Sequence, residues 1–168
     1  MRTTHRLFVS HHCLPLLPVG VEGSDPCFSN GLVNADRHGG ALIASGIHTG
    51  DVQVTLDPHD ARPSLDLDLW EDAVELSIHV PREGVTLIDR WSDAIRNYPT
   101  VGAGAAGSYR LRCHARGRDR AHDATADDSG DAPIEQHLLM MWPAPPAATQ
   151  THKMLSRFGQ ELQSTWTA

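Results

Sequence analysis

The sequence predicts a mainly β protein: a single antiparallel β-sandwich of jelly-roll type with a C-terminal helix. Two observations favour this fold. Several short segments alternate apolar and polar side chains, with turn residues between them and no helical pattern interleaved. A segment near the C-terminus has the apolar spacing of an amphipathic helix. We expect the β-sandwich domain to cover residues 1–146 and the helical tail to cover 147–168.

The first half of the chain predicts three strands. Residues 5–12 form a candidate first strand, and residues 41–45 form a short apolar one. Residues 51–57 alternate cleanly, so one face of that strand is apolar. The intervening residues 14–40 are rich in Pro, Gly and Asn, which predicts mostly loop.

The second half predicts the strongest strands. Residues 73–80 alternate, residues 81–84 provide a four-residue hairpin connection, and residues 85–89 return. Residues 108–115 alternate again. Residues 137–142 are apolar on both faces, which is typical of a central strand covered on both sides.

Two further segments complete the chain. Residues 118–133 are rich in aspartate and contain almost no large apolar side chain, so we expect a mobile loop there. Residues 151–166 predict the C-terminal helix, although Gly159 in its middle weakens it by roughly 1 kcal/mol relative to alanine. The apolar face of this helix consists of Met154, Leu155, Phe158, Leu162 and Trp166.

Charge and cysteine content limit the functional classes. The 168 residues include 21 acidic and 14 basic side chains, giving a formal net charge of −7. This charge argues against direct nucleic-acid binding, which needs a basic surface, and predicts attraction to a basic protein. No apolar run reaches the roughly 18 residues of a membrane span. The odd number of cysteines (Cys13, Cys27 and Cys113) and an N-terminus interrupted by His and Pro favour a cytoplasmic protein.

The sequence predicts neither catalysis nor a cofactor. Gly102–Gly107 matches the G-x-G-x-x-G pattern, but a strand-like segment follows where a dinucleotide site needs a helix. Cys113 and His114 point to opposite faces of their strand and cannot act together. No nucleophile elbow of the G-x-S-x-G type is present.

A histidine and cysteine cluster supports an alternative function. In His11-His12-Cys13, the first and third side chains share a face of a strand, roughly 6.6 Å apart. Together with Cys27 or His38 they could ligate zinc, although no standard zinc spacing is present. The alternative is therefore a metal-dependent enzyme or small-ligand binder of jelly-roll type.

Acidic and tryptophan side chains are the candidate partner-binding residues. Aspartates of the predicted loop would make the first contact with a basic partner. Two tryptophans near strand ends are candidate interface anchors, because Trp is enriched at binding hot spots. These candidates are Asp123, Asp127, Asp128, Asp131, Trp70 and Trp91.

Arginines are concentrated around the strand at 108–115 and the loop after it. We interpret them as a solvated face neutralised by nearby acids, because exposed charge runs are common. An anion-binding patch is the alternative. The residues are Arg110, Arg112, Arg116, Arg118 and Arg120.

Several segments resemble a known family when taken in order. They are a first strand ending in His11-His12, the glycine-bounded segment 39–46, Gly107-Ser108-Tyr109-Arg110-Leu111-Arg112, and 138–145 ending in Trp-Pro-Ala-Pro. This order resembles small, mostly uncharacterised proteins of high-GC actinobacteria, which are similar to the competence nuclease inhibitor family. The resemblance covers residues 5–145. It implies a small β-sandwich that binds and inhibits a partner nuclease.

The combined prediction is a non-enzymatic protein-binding domain, an immunity or nuclease-inhibitor-like protein acting on a basic partner. The prediction includes no cofactor, no direct nucleic-acid contact and no membrane contact. The sequence leaves the oligomeric state and the identity of the partner open.

Overall fold

The computed structural model describes residues 1–89, 98–124 and 132–167. Within these ranges the chain forms a ten-stranded sheet and two helices. The strands are β1 (Thr3–Ser10), β2 (Cys13–Leu17), β3 (Val33–Ala35), β4 (Ala41–Ala44), β5 (Thr49–Pro58), β6 (Asp72–Val80), β7 (Thr86–Leu87), β8 (Gly107–Arg116), β9 (Gln136–Pro143) and β10 (Gln150–Met154). The helices are α1 (Arg118–Asp123) and α2 (Arg157–Thr167).

The strands form one curled, mixed sheet. Their order is β10-β6-β8-β9-β5-β1-β2-β4-β3, and β7 pairs with β2. The pairs are antiparallel except β5 and β9, which run parallel from Gln53 opposite Gln136 to Pro58 opposite Met141. The mainly β class and the C-terminal helix are confirmed. A half-barrel, however, replaces the antiparallel sandwich that the sequence predicts, because a single sheet curls on itself instead of packing against a second one.

The main core fills the inside of the curl. Apolar side chains at alternate positions of β5, β6, β8 and β9 meet there, as the period of two in these segments predicts. Cys113 lies in this core and is fully buried. A smaller core of Leu17, Phe28, Leu42, Ala44 and Phe158 joins β2 and β4 to α2.

Glycines allow the two ends of the sheet to approach each other. The N–H of Gly40 donates to the carbonyl of His79 at 2.8 Å, which ties the β3–β4 turn to the end of β6. Gly40 has a φ of 74°, and a Cβ there would collide with the carbonyl of Leu16. Only glycine both adopts this positive φ readily and lacks the Cβ that would collide.

A buried ion pair closes the fold at the start of α1. The Arg118 guanidinium donates to Oδ2 of Asp72 from Nε at 2.9 Å and from Nη2 at 2.7 Å. It also donates to the Gly31 carbonyl at 2.8 Å and the Ser156 hydroxyl at 3.1 Å. The expectation of an unpacked loop from residue 118 is therefore wrong for 118–123, because Arg118 packs through hydrogen bonds instead of an apolar side chain. Residues 125–131 of that predicted loop lie outside the described residues.

Residues 150–156 of the tail are not helical, although the sequence predicts helix from residue 151. Residues 150–154 form β10, which pairs with β6. The Oγ of Ser156 accepts the N–H of Gly159 at 3.1 Å, so Ser156 caps α2 and the helix begins at residue 157. Phe158 and Leu162 pack on the smaller core, as the helical pattern predicts.

The expectation of loop over residues 14–40 also needs correction, since β2 and β3 lie within or across that range. Among the residues that the structure describes, no helix is long and apolar enough to cross a membrane.

Candidate partner-binding surface

A long connection between β5 and β6 covers the outer face of the sheet. We call residues 59–71 the strap. Arg112 donates from Nη1 to the carbonyl of Ser64 at 3.0 Å, and Lys153 donates from Nζ to the carbonyl of Leu67 at 2.9 Å. These side chains from β8 and β10 hold the middle of the strap against the sheet. Connections of this length without secondary structure are uncommon in compact domains and are often functional.

A layer of charged side chains lies beneath the strap. Glu75 accepts hydrogen bonds from Nε of Arg110 at 3.2 Å and from Nε of Arg112 at 3.0 Å, and all three side chains are buried. Burial alone would raise the pKa of Glu75, but the hydrogen bonds and charges of the arginines outweigh it and hold the pKa below its usual value. The interpretation of Arg110 and Arg112 as a solvated face is wrong, because the strap and the chain around Ala147 cover them.

The side chain of Trp70, near the end of the strap, packs against β8. It is half-buried, with its ring centroid 5.4 Å from that of His114 and 5.5 Å from the Arg116 guanidinium. His114 is buried, and burial lowers its pKa to about 4. In this position Trp70 fastens the strap to β8.

The outward side of the strap carries exposed leucines. Leu65 is 47 % exposed and Leu69 is 69 % exposed. Leu155, which is 62 % exposed, lies at the C-terminal end of the strap, where its N–H donates to the carbonyl of Glu71 at 3.0 Å. The exposed acids of the strap are Asp60, Asp66, Asp68 and Glu71. The alternating Leu and Asp residues of 65–69 are the sequence signal for this surface, but alternation alone does not distinguish an exposed strap from a strand.

Hydrogen bonds connect the strap to α1 and the tail. Oε2 of Glu71 accepts the N–H of Gly117 at 2.8 Å. Asp119 of α1 accepts the backbone N–H of Arg157 at 2.9 Å, and Asp123 accepts Nη2 of Arg157 at 3.0 Å. We call the strap, α1 and residues 155–157 together the acidic surface. Its exposed carboxylates are those of Asp60, Asp66, Asp68 and Glu71 on the strap and of Asp123 on α1.

The predicted partner-binding residues fall partly on this surface. Asp123 is exposed at the end of α1, and Trp70 belongs to the strap. The other four candidates lie outside the described residues; they are Asp127, Asp128, Asp131 and Trp91.

A histidine cluster lies at the β1–β2 turn, beside α1 and α2. His11 and His12 both have left-handed backbones, with φ of 56° and 58°. The ring of His12 lies 4.8 Å from that of His48, 5.7 Å from His122 and 5.3 Å from Phe158. Burial, with smaller effects of the neighbouring histidines, lowers the pKa of His12.

The structure does not gather the candidate metal ligands. Cys13 is half-buried, Cys27 is exposed, and Nδ1 of His38 lies 3.1 Å from a carboxylate oxygen of Asp36. Within the described ranges, no group of three or more His, Cys, Asp or Glu side chains is arranged to hold a metal ion. No observation in this part of the chain therefore supports the alternative function, a metal-dependent enzyme or small-ligand binder that uses these histidines and cysteines.

The fold and this surface define a mainly β protein with a curled mixed sheet, an external strap and an acidic side. Two solved structures share the fold. ComJ from Bacillus subtilis, described as an inhibitor of the DNA-degrading activity of NucA, matches with a TM-score of 0.54 and 15 % identity over 84 % of this chain and 96 % of ComJ. The protein described as crocagin biosynthetic gene J matches with a TM-score of 0.53 and 13 % identity over 86 % of this chain and 99 % of its own.

Sequence comparison gives no assignment: no family model and no curated protein matches the chain. At these identities the two structures show the fold alone. They support the predicted resemblance to a competence nuclease inhibitor at the level of fold. The resemblance to actinobacterial proteins stays a prediction.

Proposed function

We propose that this protein is a non-enzymatic binding domain that inhibits a nuclease through its acidic surface. The observation that carries the proposal is the continuity of that surface. Hydrogen bonds from Gly117 to Glu71 and from Arg157 to Asp119 join the strap, α1 and the tail into one support for exposed carboxylates. The shared fold with ComJ, an inhibitor of a nuclease, supports the choice of partner.

The charge of the chain sets the chemistry of the partner. A net charge of −7 favours a basic protein, and nucleases that hold DNA need basic surfaces. Clustered carboxylates raise the association rate with such a partner and make it sensitive to salt. The residues proposed to contact the partner are Asp123, Asp127, Asp128, Asp131 and Trp91, together with the exposed acids of the strap. Trp70, which the sequence also predicts, supports this binding by holding the strap against β8. We also propose a cytoplasmic location for this binding.

DNA degradation measures the proposed activity directly. The purified protein is added to fractions of its native lysate that degrade linear DNA, at low and at high salt. We expect inhibition in a fraction that binds a cation exchanger, and weaker inhibition at high salt. Unchanged DNA degradation in every fraction would overturn the proposal.

A matched pair of charge variants then tests the role of the surface. Replacing Asp66, Asp68 and Asp123 with Asn should slow association with the inhibited nuclease by roughly tenfold at low salt, because these three carboxylates are exposed on the acidic surface. The control neutralises three exposed acids outside the acidic surface: Glu22→Gln, Asp25→Asn and Glu83→Gln. Both variants change the net charge equally, so equal effects would show that only total charge matters and that the acidic surface has no special role.

A further inference from the structure

We infer that Leu69 and Leu155 are the apolar anchors of the partner-binding surface, and that they fit a basic protein with an apolar hollow rimmed by Lys and Arg. This inference rests on the proposed function, since it names where and how the partner binds. The two residues come from separate parts of the chain, the strap and the segment between β10 and α2. Nothing in the sequence pattern brings them together; the fold does.

Both anchors have fixed backbones. The N–H of Leu155 donates to the carbonyl of Glu71 at 3.0 Å and lies 2.9 Å from Oδ1 of the buried Asp72. The strap next to Leu69 is held by a turn, in which the N–H of Trp70 donates to the carbonyl of Leu67 at 3.2 Å, and by Lys153 on the same carbonyl. A partner therefore meets two leucines whose backbone is already ordered, which limits the entropy lost on binding.

The exposure of these two leucines contrasts with the burial of the core leucines. The leucines of the core, such as Leu7 and Leu111, are fully buried, whereas Leu69 is 69 % and Leu155 is 62 % exposed. Leu65 on the same strap is 47 % exposed and extends the apolar area. An apolar centre within a charged rim is the usual arrangement of a protein interface.

Acidic side chains predominate around these leucines, because the nearby cations are buried or paired. The exposed Arg157 pairs with Asp123 at 3.0 Å. Arg112 is buried, Lys153 donates to the carbonyl of Leu67, and Arg62 contacts the buried Glu75 at 3.4 Å. The carboxylates of Asp66, Asp68 and Glu71 remain at the surface. Charge complementarity thus selects a basic partner and disfavours a second copy, since a symmetric contact would place these carboxylates against each other.

Site-specific crosslinking identifies what contacts the anchors. A photo-crosslinking amino acid replaces Leu69 in the full chain, and in a control it replaces Val19, which is 73 % exposed in the turn after β2. We expect a basic protein of the native lysate to crosslink from position 69 and not from position 19. Crosslinking between copies of this chain, equal crosslinking from both positions, or none from position 69 would each overturn the inference.

Binding kinetics with the identified partner complete the test. Leu69→Ser and Leu155→Ser should each raise the dissociation rate roughly tenfold or more, while the salt dependence of association stays unchanged because the carboxylates remain. Val19→Ser should change neither rate. Thermal unfolding of the three variants should match the wild type, since all three side chains are exposed. Unchanged dissociation rates for both anchor variants would contradict the inference.

The outcomes separate this inference from the proposed function. If the partner binds through Leu69 but does not degrade DNA, the proposed nuclease inhibition is wrong and the anchor role of the leucines stands. If the Leu69→Ser and Leu155→Ser variants inhibit a nuclease as strongly as the wild type does, the anchor role is wrong and the proposed inhibition stands.

Discussion

Arg118 is a charged side chain that is buried as completely as the core leucines. Its guanidinium reaches the carboxylate of Asp72, the carbonyl of Gly31 and the hydroxyl of Ser156. A buried cation with such a complete set of acceptors adds little net stability, but removing either member of the pair leaves an uncompensated charge. At this scale the sequence predicts poorly, because an arginine in an acidic segment looks like a surface residue until its partners from distant elements are known.

Removing the Arg118 charge should therefore destabilise the protein strongly. We expect Arg118→Met to lower the free energy of unfolding by about 3–5 kcal/mol, because Asp72 stays buried without its cation. Urea unfolding followed by circular dichroism measures this change. The control is Arg157→Met, which breaks the exposed pair with Asp123 and should change stability little, because solvent screens that pair. Similar losses in the two variants would contradict this account of the buried pair.

His114 should make stability depend on pH. Its pKa of about 4 in the folded protein lies below the ordinary histidine value of 6.5, so the unfolded chain binds the proton more tightly. The contribution to stability is complete above pH 6.5 and is lost as the pH falls towards 4, amounting to about 3 kcal/mol. Urea unfolding at pH 7, 5.5 and 4.5 measures the slope, which His114→Gln should flatten. His79→Gln, on an exposed position of β6, is the control; an equal effect there would remove His114 from the explanation.

Elements differ in how far their own sequence determines them. The alternating segments 51–57, 73–80 and 108–115 are strands in the structure. One face of each strand is buried in the core, so apolar side chains occur at every second position and predict the strand. The sequence does not predict the parallel pairing of β5 with β9, because two strands that pair need not share any local sequence pattern. Likewise β10 and α1 depend on contacts with β6 and Asp72, which lie far away in sequence.

Gly159 lowers the helix propensity of α2, but contacts with distant residues require glycine at this position. On helix propensity alone, Gly159→Ala would stabilise the protein by roughly 1 kcal/mol. In the structure a Cβ at this position would collide with the Arg118 guanidinium and the Met154 sulfur. Because Arg118 is held on all sides, we expect a net loss of about 2 kcal/mol instead, measured by thermal or urea unfolding. The control Ser164→Ala, on the exposed side of α2, should be neutral or slightly stabilising.

The β1–β2 turn should accept glycine with a gain in stability. His11 and His12 have positive φ, the backbone that two-residue hairpin turns require and that Asn-Gly adopts most readily. We expect His11→Gly to raise the free energy of unfolding by about 1 kcal/mol through relief of this backbone strain. The same replacement at His5, within β1, should lower it by about 0.5–1 kcal/mol. A loss at both positions would show that the His11 side chain stabilises the turn more than its backbone strains it.

Over the whole molecule, the tail completes the sheet and the smaller core. β10 pairs with β6, Ser156 binds Arg118, and Phe158 packs on the smaller core. We expect a chain that ends at Ala148 to lack a cooperative thermal transition, because these contacts are lost together. A chain that ends at Thr165 keeps them and serves as the control. Cooperative unfolding of the shorter chain near the wild-type temperature would show that residues 1–148 form the stable unit.

The curled sheet also affects how the protein folds during its synthesis. About eighty residues separate β5 from β9, the strand with which it pairs. The carbonyl of Gly31 likewise accepts its hydrogen bond from Arg118, which is synthesised much later. A ribosome releases residues in order, so the half-made protein leaves the exit tunnel with the apolar face of β5 uncovered. Chains dominated by such distant contacts fold in milliseconds to seconds, and in the meantime are prone to aggregate. Newly made molecules should therefore depend on chaperones until translation has ended.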